Sequence, residues 1–139
     1  MKAVLLPQHG GADALVYGEF PDLQPGSGEV LVHLAAAGIN RLDIWVRNGW
    51  PGIKLQYPHI LGADGAGQVL GCGEFAKHLS IIGSTMGTRQ DFSTVMDLLF
   101  TGKLQVALDS TFPLEEARKA HEYLEKGFQI GKLTLEIPG

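Results

Sequence analysis

Glycine sets the tightest limit on what this chain can become, for 19 of its 139 residues are glycine, about twice the usual share of ~7%. Without a collagen period, that density implies short elements joined by tight turns. The longest apolar runs are a few residues and cannot span a bilayer as a helix. The opening Met1-Lys2-Ala3-Val4 run stops at Pro7, too soon for the core of a signal peptide. A hydrophobic share of 45% and a charged share of 19% are those of a globular protein, and the length suits one domain with its own core. Cys72 is the single cysteine, which excludes an internal disulfide and a cysteine-rich zinc site. A formal charge of −4 with scattered lysines and arginines gives no footprint for nucleic acid or an anionic membrane. A cytoplasmic location is expected.

The first half of the sequence is strand-like. Lys2–Leu6 is a β-type run, and Ala14–Phe20 is a second, stopped by Pro21. Glu29–Ala37 is apolar on both alternating faces, which predicts a strand buried on both sides. Asn40 then has the character of a helix N-cap, with a short helix over 41–48 and Gly49 suited to the left-handed C′ position. Trp50–Ile60 holds two prolines and is expected to be a loop. Ile60–Leu70, with Gly62, Gly65 and Gly67, is expected to be a strand bent by glycine. The second half mixes helices with strands. Short strands are expected at 80–83 and 104–108. A helix is predicted over 90–101, with Phe92, Val95, Met96 and Leu99 on one stripe, a Thr88/Asp91 capping box and a stop at Gly102. A second is predicted over 113–126, burying Leu114, Ala117, Ala120, His121 and Leu124 and ending at Gly127. Lys132–Ile137 alternates cleanly and predicts a half-exposed strand with Leu133, Leu135 and Ile137 inward. There is no internal repeat.

Four stretches share an order and spacing that identify a family: Lys2-Ala3-Val4, Gly28-Glu29-Val30-Leu31-Val32, Ala37-Gly38-Ile39-Asn40-Arg41-Leu42-Asp43, and Pro58 through Val69. With Phe112-Pro113-Leu114-Glu115-Glu116-Ala117 and Gly131-Lys132-Leu133 near the far end, the chain resembles the medium-chain dehydrogenase/reductase superfamily of alcohol dehydrogenases and quinone oxidoreductases. The resemblance implies the start of a GroES-like catalytic domain over 1–70 and the family's C-terminal segment over 80–139, in a single domain. The intervening barrel strands and dinucleotide-binding domain are missing, so residues 71–79 are expected to be a seam or linker. NAD(P)H is the family's cofactor, and none is expected to be held by this chain.

The resemblance also carries candidate sites. The positions matching the family's zinc motifs are Asn40, Ala63 and Asp64, a poor set for a metal that needs about three protein ligands, so no metal is expected. Asn40 and Asp43 match the zinc-independent quinone-oxidoreductase branch, in which polar residues of this motif lie beside nicotinamide and substrate. There Asn40 would donate to a carbonyl oxygen and polarise it for hydride attack. The same two residues equally serve as a helix cap and a first-turn acid, and in this chain the capping role is favoured because no hydride-donor site is legible. Gly71-Cys72-Gly73-Glu74-Phe75-Ala76 fits G-x-G-x-x-A, making Gly71, Gly73 and Ala76 the candidate cofactor-binding residues. The pattern lacks room for the helix and the distant acid that a dinucleotide site needs, so a seam is the favoured reading there. The loop 83–88 before the predicted helix is a weaker anion-binding candidate. The five histidines have no metal spacing, and His121 is expected to be packed and hydrogen-bonded. Trp50 and Tyr57 are expected over a cleft or a small core.

The expectation is therefore an α+β fold, a partial GroES-like β-barrel with two or three covering helices. The strand at 132–137 completes the barrel, and the helices at 90–101 and 113–126 lie over it. The favoured function is a domain-deleted oxidoreductase-like scaffold without activity of its own. The alternatives are a working NAD(P)H-dependent quinone or aldehyde/alcohol reductase, with cofactor held by the Gly71–Ala76 loop or a partner chain, and a non-enzymatic interaction module. Strand edges left unpaired by the deletion predict a homodimer.

Overall fold

A computed structural model describes residues 1–72 and 87–138, and the strand expected at 80–83 lies outside them. The fold is α+β, as expected, and its described strands form two open sheets rather than a closed barrel. The smaller sheet has the order β2–β1–β4, from Val16–Glu19, Lys2–Leu6 and His59–Ile60. The larger has the order β5–β3–β7–β6, from Asp64–Cys72, Val30–Ile39, Lys132–Glu136 and Leu108–Pro113. All pairings are antiparallel except β6 with β7. The terminal strand β7 joins the family-like front of the chain to its back, pairing with β3 from Ala36↔Glu136 to Ile39↔Leu133.

Helix α1 (Arg41–Asn48) begins after extended Asn40 and ends on Gly49 at φ +93°, the left-handed geometry in which glycine has no Cβ penalty. Helix α2 (Arg89–Phe100) opens on the expected capping box: Thr88 Oγ1 accepts from the Asp91 amide at 3.1 Å, and the Asp91 carboxylate accepts from the Thr88 amide at 2.9 Å. Helix α3 (Ala117–Lys126) follows a 3-10 turn at Leu114–Glu116 and stops on left-handed Gly127. Its predicted face is the buried one, with Leu114, Ala117, Ala120, His121 and Leu124 all inside. These side chains meet Ile39, Ile44, Leu133 and Leu135 in the main core. The Arg118 guanidinium fastens α3 to the turn at Ala12–Ala14, donating to the carbonyls of Asp13 and Leu15 at 2.9 and 3.0 Å.

Three local expectations are corrected. The strand placed at 104–108 is β6, and it begins where that range ends and runs to Pro113. Gly131, at φ +113°, sets this offset: a Cβ there would lie 2.3 Å from the Ala107 carbonyl oxygen, which instead accepts from Lys132 N at 2.8 Å. Strand β3 is not buried on both sides, because Val32 and Leu34 are exposed. An apolar alternation reports what a strand can bury, and here the layer that would cover its first half is missing from the described fold. The third correction concerns α2, which buries none of its residues and does not cover the sheet, whereas α1 and α3 pack on the core.

Candidate functional site

The junction of β3 and α1 places Asn40 at the centre of a polar cluster. The Asn40 Nδ2 donates to Asp64 Oδ2 at 2.8 Å, while Lys132 Nζ donates to Asn40 Oδ1 at 2.5 Å and to Asp64 Oδ2 at 2.8 Å. Three strands deliver these groups: Asn40 follows β3, Asp64 opens β5 and Lys132 opens β7. Their approach depends on Gly38, where a Cβ would stand 2.8 Å from Lys132 Cε and 3.2 Å from Asp64 Oδ2. The hydrogen bonds from Asn40 and Lys132, with the lysine's charge, hold the Asp64 carboxyl below its usual range.

Asp43 lies one layer deeper and is 4% exposed. Its carboxylate accepts from the Asn40 amide at 2.7 Å, the acidic half of a capping box at the start of α1. Burial pushes the Asp43 carboxyl up and nearby Asp64 adds to this, while the amides of Asn40 and Gly62 and the charge of Lys132 oppose it. The structure thus brings Asn40 and Asp43 together, and it makes Asp43 the helix-start acid that the sequence suggested. The Asn40 side chain turns outward to Asp64 and Lys132. Of the cofactor candidates, Gly71 is a ladder residue opposite Leu31, and Gly73 and Ala76 lie outside the described residues.

Chemically, the cluster offers donors around a fixed carboxylate. An ammonium has three N–H groups and a primary amide two. The hydrogen bonds above take two of the three on Lys132 Nζ and one of the two on Asn40 Nδ2, so each group has a donor to spare for an oxygen. On α1 and the loop after it, Trp45 and Trp50 pack with ring centroids 4.8 Å apart, and Tyr57 meets His9 edge-on at 5.6 Å. Both tryptophans and Tyr57 keep exposed faces.

Lys132 is the site residue that sequence reading missed. It sits 92 positions from Asn40, and its strand was read only for the inward leucines. The cue was present in the Gly131-Lys132-Leu133 motif. Asp64 was named only as a failed zinc ligand, in the motif beside Gly62 and Ala63.

Comparison with known proteins adds the family. Residues 22–135 match the model of a family described as zinc-binding dehydrogenase. The chain is 39% identical over 81 residues to the chloroplastic quinone-oxidoreductase QR1 of Triphysaria versicolor, covering 56% of this chain and 25% of that protein. It is 36% identical over 69 residues to a quinone oxidoreductase of Pseudomonas aeruginosa, covering 49% of this chain and 21% of that one. The chain therefore spans about a quarter of the length of the curated relatives it matches. Among solved structures, an NAD-dependent alcohol dehydrogenase superposes with a TM-score of 0.87 at 16% identity, covering 99% of this chain and 100% of that one. The Escherichia coli quinone oxidoreductase in complex with NADPH superposes at 0.53 and 21% identity, covering 81% and 44%.

A zinc ion of the kind in that family description finds no fitting donor set among the described residues, where no group of three or more His, Cys, Asp or Glu side chains that could hold a metal occurs; the resemblance sets Asn40, Ala63 and Asp64 at the ligand positions. The point where Asn40 Oδ1 and Asp64 Oδ2 converge is already taken by a cation, the Lys132 ammonium. On the family model that spans most of its length, and with the relatives in agreement, the chain belongs to the zinc-binding dehydrogenases of the medium-chain dehydrogenase/reductase superfamily.

Proposed function

We propose that this chain is the substrate-side scaffold of a zinc-independent alcohol dehydrogenase/quinone oxidoreductase-like protein, able to receive a carbonyl oxygen but not to reduce it alone. The observation that carries this reading is a distance along the chain. Only residues 73–88 separate β5 from α2, whereas a single βαβ unit takes roughly 30 residues or more. A dinucleotide grip of the Rossmann type needs several such units. In the family, NAD(P)H supplies the hydride. What this chain's own residues contribute is orientation: the spare N–H of Asn40 and that of Lys132 would meet a carbonyl oxygen, and Asp64 holds both donors in place. Asp43 fixes the start of α1 and with it the position of Asn40. Zinc independence is supported by the ammonium of Lys132 lying between the two oxygens.

The test follows the emission of Trp45 and Trp50 while NADPH or NADH is added, together with an assay for turnover of a quinone and an aldehyde. The expected result is no saturable change at micromolar cofactor and no turnover. Saturable binding accompanied by turnover would replace the scaffold reading with that of a working reductase, its cofactor held by the Gly71–Ala76 segment or by a partner chain.

A further inference from the structure

The outer side of β6 is an open edge of the larger sheet, and the chain enters that strand through a stretch whose backbone is idle. Lys132 N donates to the Ala107 carbonyl at 2.8 Å, so Ala107 turns its polar groups towards β7. Successive residues of a strand address alternate edges, which leaves the N–H and C=O of Leu108 on the side away from β7. Val106, one alternation earlier, makes no hydrogen bond among the described residues.

This stretch also carries an apolar stripe. Leu104, Val106 and Leu108 stand at alternate positions and are 42%, 56% and 60% exposed. A charge of each sign flanks them. Lys103 makes no ion pair among the described residues. The Asp109 carboxylate accepts from the Ile130 amide and the Ser110 hydroxyl, each at 2.8 Å, and these bonds hold it below its usual range. The order Lys103-Leu104-Gln105-Val106-Ala107-Leu108-Asp109 is thus complementary to its own reverse. A two-fold axis at Val106 sets Lys103 against Asp109 of a second copy, Leu104 against Leu108, and Val106 against Val106. Gly102, at φ +71°, turns the chain just before Lys103 and limits the match to these residues.

We propose that residues 103–109 pair antiparallel with the same residues of a second copy of this chain, about a two-fold axis at Val106. The two Val106 residues exchange N–H···O=C bonds, and the leucines form apolar cross-strand pairs. Each Lys103 ammonium faces an Asp109 carboxylate across the interface. A lysine on a strand edge ordinarily discourages pairing; here it selects one register, because a shift of two residues would set the ammonium against a leucine. The contact is isologous, so it closes at two chains, and the larger sheets of the copies run on into one. The pairing stands whether or not the chain takes a cofactor.

Single cysteines placed in a Cys72→Ser background read the register. Hydrogen-bonded antiparallel partners have Cα atoms about 5.5 Å apart, inside the roughly 4.4–6.8 Å that a disulfide spans. On oxidation, Val106→Cys should link into dimers. Leu104→Cys alone should not, since its two copies lie about 13 Å apart along the strand, but Leu104→Cys mixed with Leu108→Cys should. Light scattering from micromolar to millimolar protein should show the mass rising towards two chains. Val106→Pro removes the central N–H while breaking no bond within the monomer, and it should raise the dissociation constant about tenfold. Lys103→Glu should weaken the dimer and Lys103→Arg should keep it. If circular dichroism shows that Val106→Pro does not fold, the cysteine pattern decides alone. A constant monomer mass, which would leave the edge to a strand of some other protein, overturns the proposal. So does a dimer indifferent to both Val106→Pro and Lys103→Glu, or cross-linking of Leu104→Cys alone as efficient as that of Val106→Cys.

Discussion

Arg47 is fully buried, with 0% of its surface exposed, and it holds three segments together. Its Nε donates to the Gly10 carbonyl at 3.1 Å, Nη1 reaches His121, and Nη2 is ion-paired with Glu125. Glu125 is partly exposed, so Arg47→Ala strands no buried charge but leaves the Gly10 carbonyl and His121 Nδ1 without their donor, and it should lower the unfolding free energy by about 1–3 kcal/mol in a urea titration. His121 gives stability a pH dependence. Burial and the neighbouring guanidinium push its imidazole down to about 4, and Glu125 opposes them. Because the folded value lies below the ordinary ~6.5, the unfolded chain binds the proton first, and stability falls as pH drops from about 6.5 towards 4. The urea midpoint should decline over that window, and less steeply in His121→Gln. Gly38→Ala tests the polar cluster: its methyl would displace the Lys132 side chain, and the Asp64 carboxyl, followed by NMR, should titrate closer to its usual range. None of the Arg47 arrangement was legible beforehand, since its partners at Gly10, His121 and Glu125 are remote in sequence and nothing in a short amphipathic helix marks one arginine for burial. Asn40 and Asp43 were legible because a cap and its acid lie three positions apart.

Elements were legible where a local rule agreed with the tertiary outcome. The stripe on α3 and the alternation on β7 each name the buried side chains correctly, because period and packing coincide there. On α2 the rule for starting a helix held while the inference of burial failed: Phe92 stands 67% exposed on the stripe that was expected to be covered. This contrast gives a direct comparison of stability. Leu133, only 1% exposed, should cost about 2–5 kcal/mol when cut to alanine. Phe92→Ser should change the unfolding free energy by no more than about 0.5 kcal/mol, the usual range for surface positions. A large loss from Phe92→Ser would mean that α2 packs against something in solution. The strand expected at 104–108 was displaced for a reason no local pattern carries, namely the close pass of Gly131 beneath Ala107.

The two open sheets leave outer edges at β2, β4, β5 and β6 among the described residues. Unpaired edges are templates for association, and we propose that the chain forms homodimers through one of them. Light scattering across a concentration series should give a mass that rises from one chain towards two; a constant monomer mass would rule this out. The larger sheet has a further consequence, which lies in time rather than space. Its strand β7 stands between β3 and β6 and is the last-made of the described strands. On the ribosome, residues 30–39 and 108–113 therefore emerge before the strand that bridges them exists. Strand β3 can already pair with β5, but β6 has no partner in this sheet until residues 132–136 clear the exit tunnel, so the parallel β6–β7 ladder closes after the β3–β5 ladder.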